Sequence, residues 1–287
     1  MSGAAAAPAA PLTPRPVALD TGPMTDPAGG DAESRFLTAG DGVRLHYLHW
    51  RSQPSPPSAV VLFLHGIASH AGWFAETATD LSGHGVEVYG LDRRGSGQSQ
   101  GPRGHLDRYE QALDDVEQLV RLVAAERGAP LSGMLLLGPG LFPTVNLPLW
   151  HGVVVVAGHL VRPRARLPIP LTPELYTANP PYRDLIRADP LRLLEATTQF
   201  FWQTARLDRR RGRDTARLAL PVLLLQGEAD QMMDVPATRR WFDGLGGPDT
   251  TYRAYPGAGH TLDFEPDRTR YLSDMLTWLS AMVRPGP

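Results

Sequence analysis

The chain has 287 residues, 42% of them apolar and 20% charged, with a formal net charge of -2. That is the balance of an ordinary globular protein with a core of normal size, and so little charge argues against electrostatic capture of nucleic acid or of an anionic membrane. There is no cysteine, which excludes disulfides, thiolate metal sites and a cysteine nucleophile together.

Residues 1–33 are Ala, Pro, Gly and Asp with almost no large apolar side chains and read as a disordered tail. They lack the basic start and apolar run of a signal peptide. Two short strands, 36–39 and 43–50, flank Gly40-Asp41-Gly42 as a hairpin. After the Pro/Ser turn at 52–58, the run AVVLFL at 59–64 reads as a strand covered on both faces. A helix over 73–81 stopped by Gly83 and Gly85, a buried strand over 86–91 and a helix over 109–127 follow. The last carries Leu113, Val116, Val120, Val123 and Ala124 on one stripe and stops at Gly128.

A strand at 134–137 precedes a Pro-rich, irregular stretch over 142–216, with a helical piece at 191–206, that reads as a cap inserted into the scaffold. The apolar segment 147–161 is broken by Pro148, His151 and His159 and is shorter than the roughly 20 residues of a bilayer span, so it reads as buried cap and the protein as soluble and cytoplasmic. Regular alternation then resumes with a strand at 222–226, a helix at 237–245, a strand at 251–255 and a closing amphipathic helix at 269–283. Alternating strands and helices imply an α/β fold with a mainly parallel sheet. Its core comprises 34–141 and 217–287.

Functional residues of such a sheet lie in loops beyond the carboxyl ends of its strands. Three loops qualify: His65-Gly66-Ile67, Gly227-Glu228-Ala229-Asp230 and Gly257-Ala258-Gly259-His260. An acid after one strand and a histidine after the next match the tail of a Ser…Asp…His series, and a glycine before Ile67 lets a backbone N–H approach an oxyanion. His46 and His49 fall on opposite faces of a strand and make poor metal ligands. Arg209-Arg210-Arg211 with Arg213 reads as a solvated loop, and no cofactor motif is present.

The segments LFLHG at 62–66, LDRRGSGQS at 91–99, SGMLLLGPGL at 132–141, PVLLLQGEAD at 221–230 and YPGAGH at 255–260 stand in the order of one family. From about 36 to 283 the chain resembles the monoacylglycerol lipase and lysophospholipase-like branch of the α/β-hydrolases, grouped with the serine aminopeptidases. The resemblance implies that Asp230 is the triad acid, His260 the general base and the Ile67 N–H, presented after Gly66, an oxyanion donor. It implies an apolar acyl-ester or lipid ligand under the cap.

One part of that pattern has no counterpart. In the family the long helix leads into a strand, a Gly-x-Ser-x-Gly elbow and a further helix before the strand resembling 133–138; here Gly128-Ala129-Pro130-Leu131 joins helix to later strand directly. Gly97-Gln98-Ser99-Gln100-Gly101 fits the elbow letter for letter but lacks its strand–turn–helix setting. Ser132 starts a strand and so lies at the wrong end of the sheet, Thr144 has no elbow around it, and Pro139 has no nucleophilic atom.

The expectation is therefore an esterase-like fold lacking the elbow strand and its helix and impaired in catalysis, or else a non-catalytic acyl-binding relative or a deletion product. Two structural expectations follow: the strand at 134–137 slides into the vacant place beside 59–64, and an exposed apolar face drives self-association.

Overall fold

The computed structural model describes residues 32–128, 131–144, 149–210, 218–247 and 249–283. The tail before Ala32, the junction residues Ala129 and Pro130, and Arg211 and Arg213 of the arginine run lie outside them. Strands β1 (Glu33–Thr38) and β2 (Arg44–Trp50) form the expected hairpin; β3 (Ala59–Leu64), a 3-10 turn at Ala71–Phe74, α1 (Ala75–Gly83), β4 (Val86–Leu91) and α2 (Tyr109–Arg127) follow. Next come β5 (Met134–Leu137) and a cap made of α3 (Leu149–Val161), β6 (Arg166–Pro168), α4 (Pro173–Tyr176), α5 (Pro180–Ala188), β7 (Glu195–Thr197) and α6 (Thr198–Asp208). The chain closes with β8 (Val222–Gly227), α7 (Val235–Asp243), β9 (Thr250–Tyr255), a 3-10 turn at Leu262–Phe264 and α8 (Thr269–Val283).

The strands form two sheets rather than one. The first has the order β1-β2-β4-β3, with β3 parallel to β4; the second has the order β5-β8-β9, parallel throughout; β6 and β7 make a small antiparallel pair in the cap. β5 pairs with β8 and not with β3, so the expected slide of 134–137 against 59–64 does not occur. The register of β5 along β8, with Met134 N and Gly138 N donating to Pro221 O and Leu225 O beyond the strand ends, holds it where it is.

This break explains a second departure. A continuous apolar run belongs to a strand covered on both faces, and every residue of β4 and β8 is buried. No residue of β3 or β5 is, and Leu64 is 44% exposed. Each has a neighbour on one edge only, and both line a cavity of about 1700 Å³.

Packing is continuous on one face and divided on the other. Beneath α1 and α8 a single apolar cluster joins Trp50, Val86 and Val88 of the first sheet to Leu223 and Leu225 of the second, through Phe74, Met275 and Trp278. On the opposite face α2 covers one cluster with Tyr47, Tyr89, Leu91, Leu119 and Val123, and α7 covers another with Val222, Leu224 and Phe242. Val116, Val120 and Ala124 of α2 border the cavity, whereas Leu113, assigned to the apolar stripe, is exposed; the buried side of the helix runs through Tyr109, Asp115, Leu119 and Val123 instead.

The cap helix expected over 191–206 starts at Thr198, where Thr197 caps it by accepting from Phe200 N at 3.1 Å. The apolar segment expected to be buried forms α3, which leaves Val153, Val156, Leu160 and Val161 exposed. No helix among the described residues is long and apolar enough to cross a membrane.

Asp92, just past β4, ties the first half together. Its carboxylate accepts from His46 Nδ1, Ala71 N and Gln98 N, each at 2.8 Å, and so links β2, the turn before α1 and the loop after β4. Burial pushes its carboxyl up, but the His46 bond and the positive charge around it outweigh burial and hold it at about 2.

Replacing Asp92 with Ala leaves these donors buried without an acceptor and is expected to cost about 3 kcal/mol or more in urea denaturation. Because the folded value is depressed, this contribution is complete above the unfolded value of about 4 and is lost as pH falls through about 2, so the variant has a shallower acid limb. The open edges generate a further expectation: amides of β3 and β5 exchange with solvent deuterium faster than those of β4 and β8, and equal protection would contradict the division of the sheet.

Candidate active site

Asp230 lies in the turn after β8 and is held by three donors. Met232 N and Met233 N donate to Oδ1 at 2.8 and 3.1 Å, and Gln226 Nε2 donates to Oδ2 at 3.0 Å. Oδ2 also accepts from His260 Nδ1 at 2.8 Å. A carboxylate partner fixes the proton on Nδ1 and leaves the lone pair of the neutral ring on Nε2. The Asp230 side chain has no exposure, whereas His260 borders the cavity.

The loop after β9 that carries His260 is anchored from two sides: Gly259 N donates to Glu265 Oε1 at 2.9 Å, and Thr261 N to the cap carbonyl of Tyr176 at 3.0 Å. Glycine is required where the loops meet. A Cβ at Gly227 would lie 2.0 Å from Gly259 O, and one at Gly138, which has φ +46°, would lie 2.4 Å from His260 O.

On the other half of the sheet, the Gly66 carbonyl accepts from His65 Nδ1 at 2.7 Å and from Arg93 Nη2 at 2.8 Å, while His65 Nε2 accepts from Arg93 N at 2.9 Å. Burial, with the charge of Arg93 beside it, pushes His65 down to about 3, so the ring is neutral and the network keeps its direction. In a trans peptide the carbonyl and the next N–H point opposite ways, so the Ile67 N–H is turned away from Arg93. It has no hydrogen-bond partner among the described residues, and Ile67 borders the same cavity as His260.

The hydroxyls weighed from sequence are otherwise engaged or misplaced. Ser99 is buried, donates to Asp92 O at 2.6 Å and accepts from His46 N at 2.8 Å, so it serves the Asp92 network. Thr144 reaches the Asp230 loop but donates to Gln231 O at 2.8 Å. Ser132 precedes β5, at the end of the strand opposite His260. Pro139 borders the cavity and offers its carbonyl to Leu141 N at 2.7 Å. Among the described residues no hydroxyl is hydrogen-bonded to the His260 imidazole. His46 bonds Asp92, and His49 bonds Glu87.

Three supporting residues escaped the sequence reading: Gln226, Glu265 and Arg93. Gln226 carried a signal, as a polar residue ending the apolar strand VLLLQ; the others act through contacts between separate loops, which no local pattern encodes.

The cavity that these groups share is walled by Ile67, Trp73, Tyr176, Met232 and Met233 near His260 and by the cap residues Val155, Ile169 and Phe201 above. It continues between β3 and β5 to Trp278 and Met282 of α8. It can seat a long apolar ligand with one polar group at the imidazole.

The chain matches the family described as serine aminopeptidase, S33, over residues 55–131 and again over 119–267. It is 28% identical to a monoacylglycerol lipase of Mycolicibacterium smegmatis over 282 residues, covering 86% of this chain and 96% of that protein. It is 29% identical to a monoglyceride lipase of Mus musculus over 277 residues, covering 86% and 90%. The fold is that of the Paleococcus ferrophilus monoacylglycerol lipase crystal structure, with a TM-score of 0.73 at 23% identity, covering 83% of this chain and 99% of that one. A soluble variant of the Saccharomyces cerevisiae monoglyceride lipase, in complex with a substrate analogue, gives 0.74 at 19% identity, covering 85% and 94%. With the match extending over most of its length, this chain belongs to the serine aminopeptidase S33 family of α/β-hydrolases.

Proposed function

We propose that this chain keeps the acid–base pair and the acyl cavity of a monoacylglycerol-lipase-like esterase but, standing alone, does not hydrolyse carboxylic esters through a serine. The observation that carries this reading is the one-sided bonding of His260: Asp230 on Nδ1, and no hydroxyl among the described residues on the imidazole.

Each retained group has a definite task in acyl transfer. Asp230 orients the imidazole and stabilises its protonated form, His260 takes a proton from an attacking hydroxyl and returns it to the leaving alcohol, and the Ile67 N–H donates a hydrogen bond to the developing oxyanion. None of these groups attacks a carbonyl. A triad stripped of one member retains about 10³- to 10⁴-fold acceleration over water from binding and the oxyanion hole. A chain without an elbow also lacks the oxyanion N–H that the elbow supplies, so its residual rate is lower.

Loss of one internal segment accounts for the pattern. The two family matches overlap over residues 119–131, which supports a break in the second half of α2 or just after it, and β5 begins only seven residues after that helix ends. The alignment with the mycobacterial relative spans 282 positions although it draws on 86% of a 287-residue chain, so the relative carries residues that face none here. A strand, an elbow and a helix need on the order of 25 to 30 residues.

A second reading, retention of an acyl or lipid ligand without turnover, is favoured by the apolar cavity and by the exposed face of α3 beside it, the surface that a lipid aggregate would meet.

p-Nitrophenyl butyrate turnover and fluorophosphonate labelling test the first reading. The expected result is turnover equal to that of His260→Ala and no covalent label. Labelling that disappears when one serine or threonine is replaced by alanine would overturn it. Sequencing the encoding DNA across codons 119–133 tests the loss of the segment directly.

A further inference from the structure

We infer that Arg93 is an anion site in the wall of the cavity, where it holds the carboxylate of a long-chain fatty acid whose apolar tail lies in the same cavity. The inference rests on the reading that the chain retains an acyl ligand, and it adds the charge of that ligand's head.

Two arginines among the described residues border the cavity, and their surroundings differ. Arg127 bonds Glu87 and the Tyr89 hydroxyl. Arg93 meets one side-chain acceptor, the Gly66 carbonyl, at 2.8 Å. Its Nε is closed off from solvent without a hydrogen-bond partner, and no carboxylate among the described residues pairs with it. The next residue in the chain shows what is missing: Arg94 donates to Asp115 at 2.6 Å and to Asp41 at 2.8 Å. Burial alone acts on Arg93 and pushes it down to about 10, so the guanidinium keeps its charge at neutral pH. Two acids that border the same cavity are engaged elsewhere, Glu126 by the Tyr89 hydroxyl and Asp263 by Thr77 and Tyr271.

A cation withdrawn from water without a counter-charge is costly, and an anion that reaches it is bound strongly for the same reason. A carboxylate fits on two counts: its pair of oxygens matches the planar guanidinium fork, and its one negative charge cancels the one positive charge present. The remaining walls, among them Phe74, Leu137, Val155 and Trp278, suit an apolar tail. A neutral glyceride head would leave the cation uncompensated. The site is also distinct from the oxyanion position. Arg93 lies on the carbonyl side of the Gly66–Ile67 peptide, and the Ile67 N–H points the other way, so an ester carbonyl held by that N–H does not satisfy the guanidinium.

The test is calorimetric titration of the full chain with three amphiphiles of equal tail length: laurate, monolaurin and dodecyl phosphate, each below its micelle concentration. Laurate should bind saturably and at least about tenfold more tightly than monolaurin. In Arg93→Gln, which can still donate to the Gly66 carbonyl but carries no charge, that preference should vanish while monolaurin binds as before. Arg93→Lys keeps the charge and should retain the preference in part. Equal affinity of laurate and monolaurin for the unaltered chain would overturn the inference without recourse to a variant, as would a preference that survives in Arg93→Gln. Tighter binding of dodecyl phosphate than of laurate would overturn the assignment of a carboxylate. Equal binding of laurate and monolaurin leaves the retained-ligand reading standing, whereas saturable binding of neither removes that reading together with the inference.

Discussion

A parallel sheet holds together through an unbroken ladder of backbone hydrogen bonds, and in this protein the ladder stops at β3 and restarts at β5. The halves are joined instead by side-chain packing on one face, the cluster beneath α1 and α8. Hydrogen bonds fix register; apolar contact does so only through shape. The relative placement of the two half-sheets therefore rests in part on how Phe74, Met275 and Trp278 interlock, a weaker specification than strand pairing provides.

That division runs through the candidate site. Asp230 and His260 belong to the second sheet and its loops, where Gln226, the Met232 and Met233 amides and Glu265 hold them to one another. The Ile67 N–H belongs to the first sheet, directed by His65 and Arg93. Each group is well oriented within its own half, because its partners are local to that half. His260 and the Ile67 N–H are brought to the same cavity by the cap, where Ile67, Trp73, Tyr176, Met232 and Met233 share one cluster. The cap thus does part of the positioning that a continuous sheet would do.

Much of this was legible in the sequence, and the failures have physical causes. Asp230 and His260 lie where the sequence puts them, after apolar strands and within reach of each other, and the helices Tyr109–Arg127 and Thr269–Val283 are marked by their start and stop residues. The strand runs AVVLFL and VEVYGL look alike in composition, yet only the second is buried, because burial depends on a neighbour that lies far away in sequence or is not there. Leu113 was misassigned because a stripe drawn from apolar spacing ignores Asp115, which turns inward to meet Arg94 through bonds of 2.6 Å. The apolar face of α3 looked buried for the same reason that β3 did: composition records what a segment can cover, not whether something is there to cover it.

The Asp92 network has a further bearing on how the molecule comes apart. It binds β2, the turn before α1 and the loop after β4 into one unit, while the second sheet has its own core under α7 and no share in those bonds. The two units share the apolar cluster beneath α1 and α8 and the cap cluster around Ile67 and Met232, so parting them uncovers apolar surface in both. Loss of the Asp92 bonds is therefore passed to the second sheet through those shared apolar contacts rather than through a hydrogen bond.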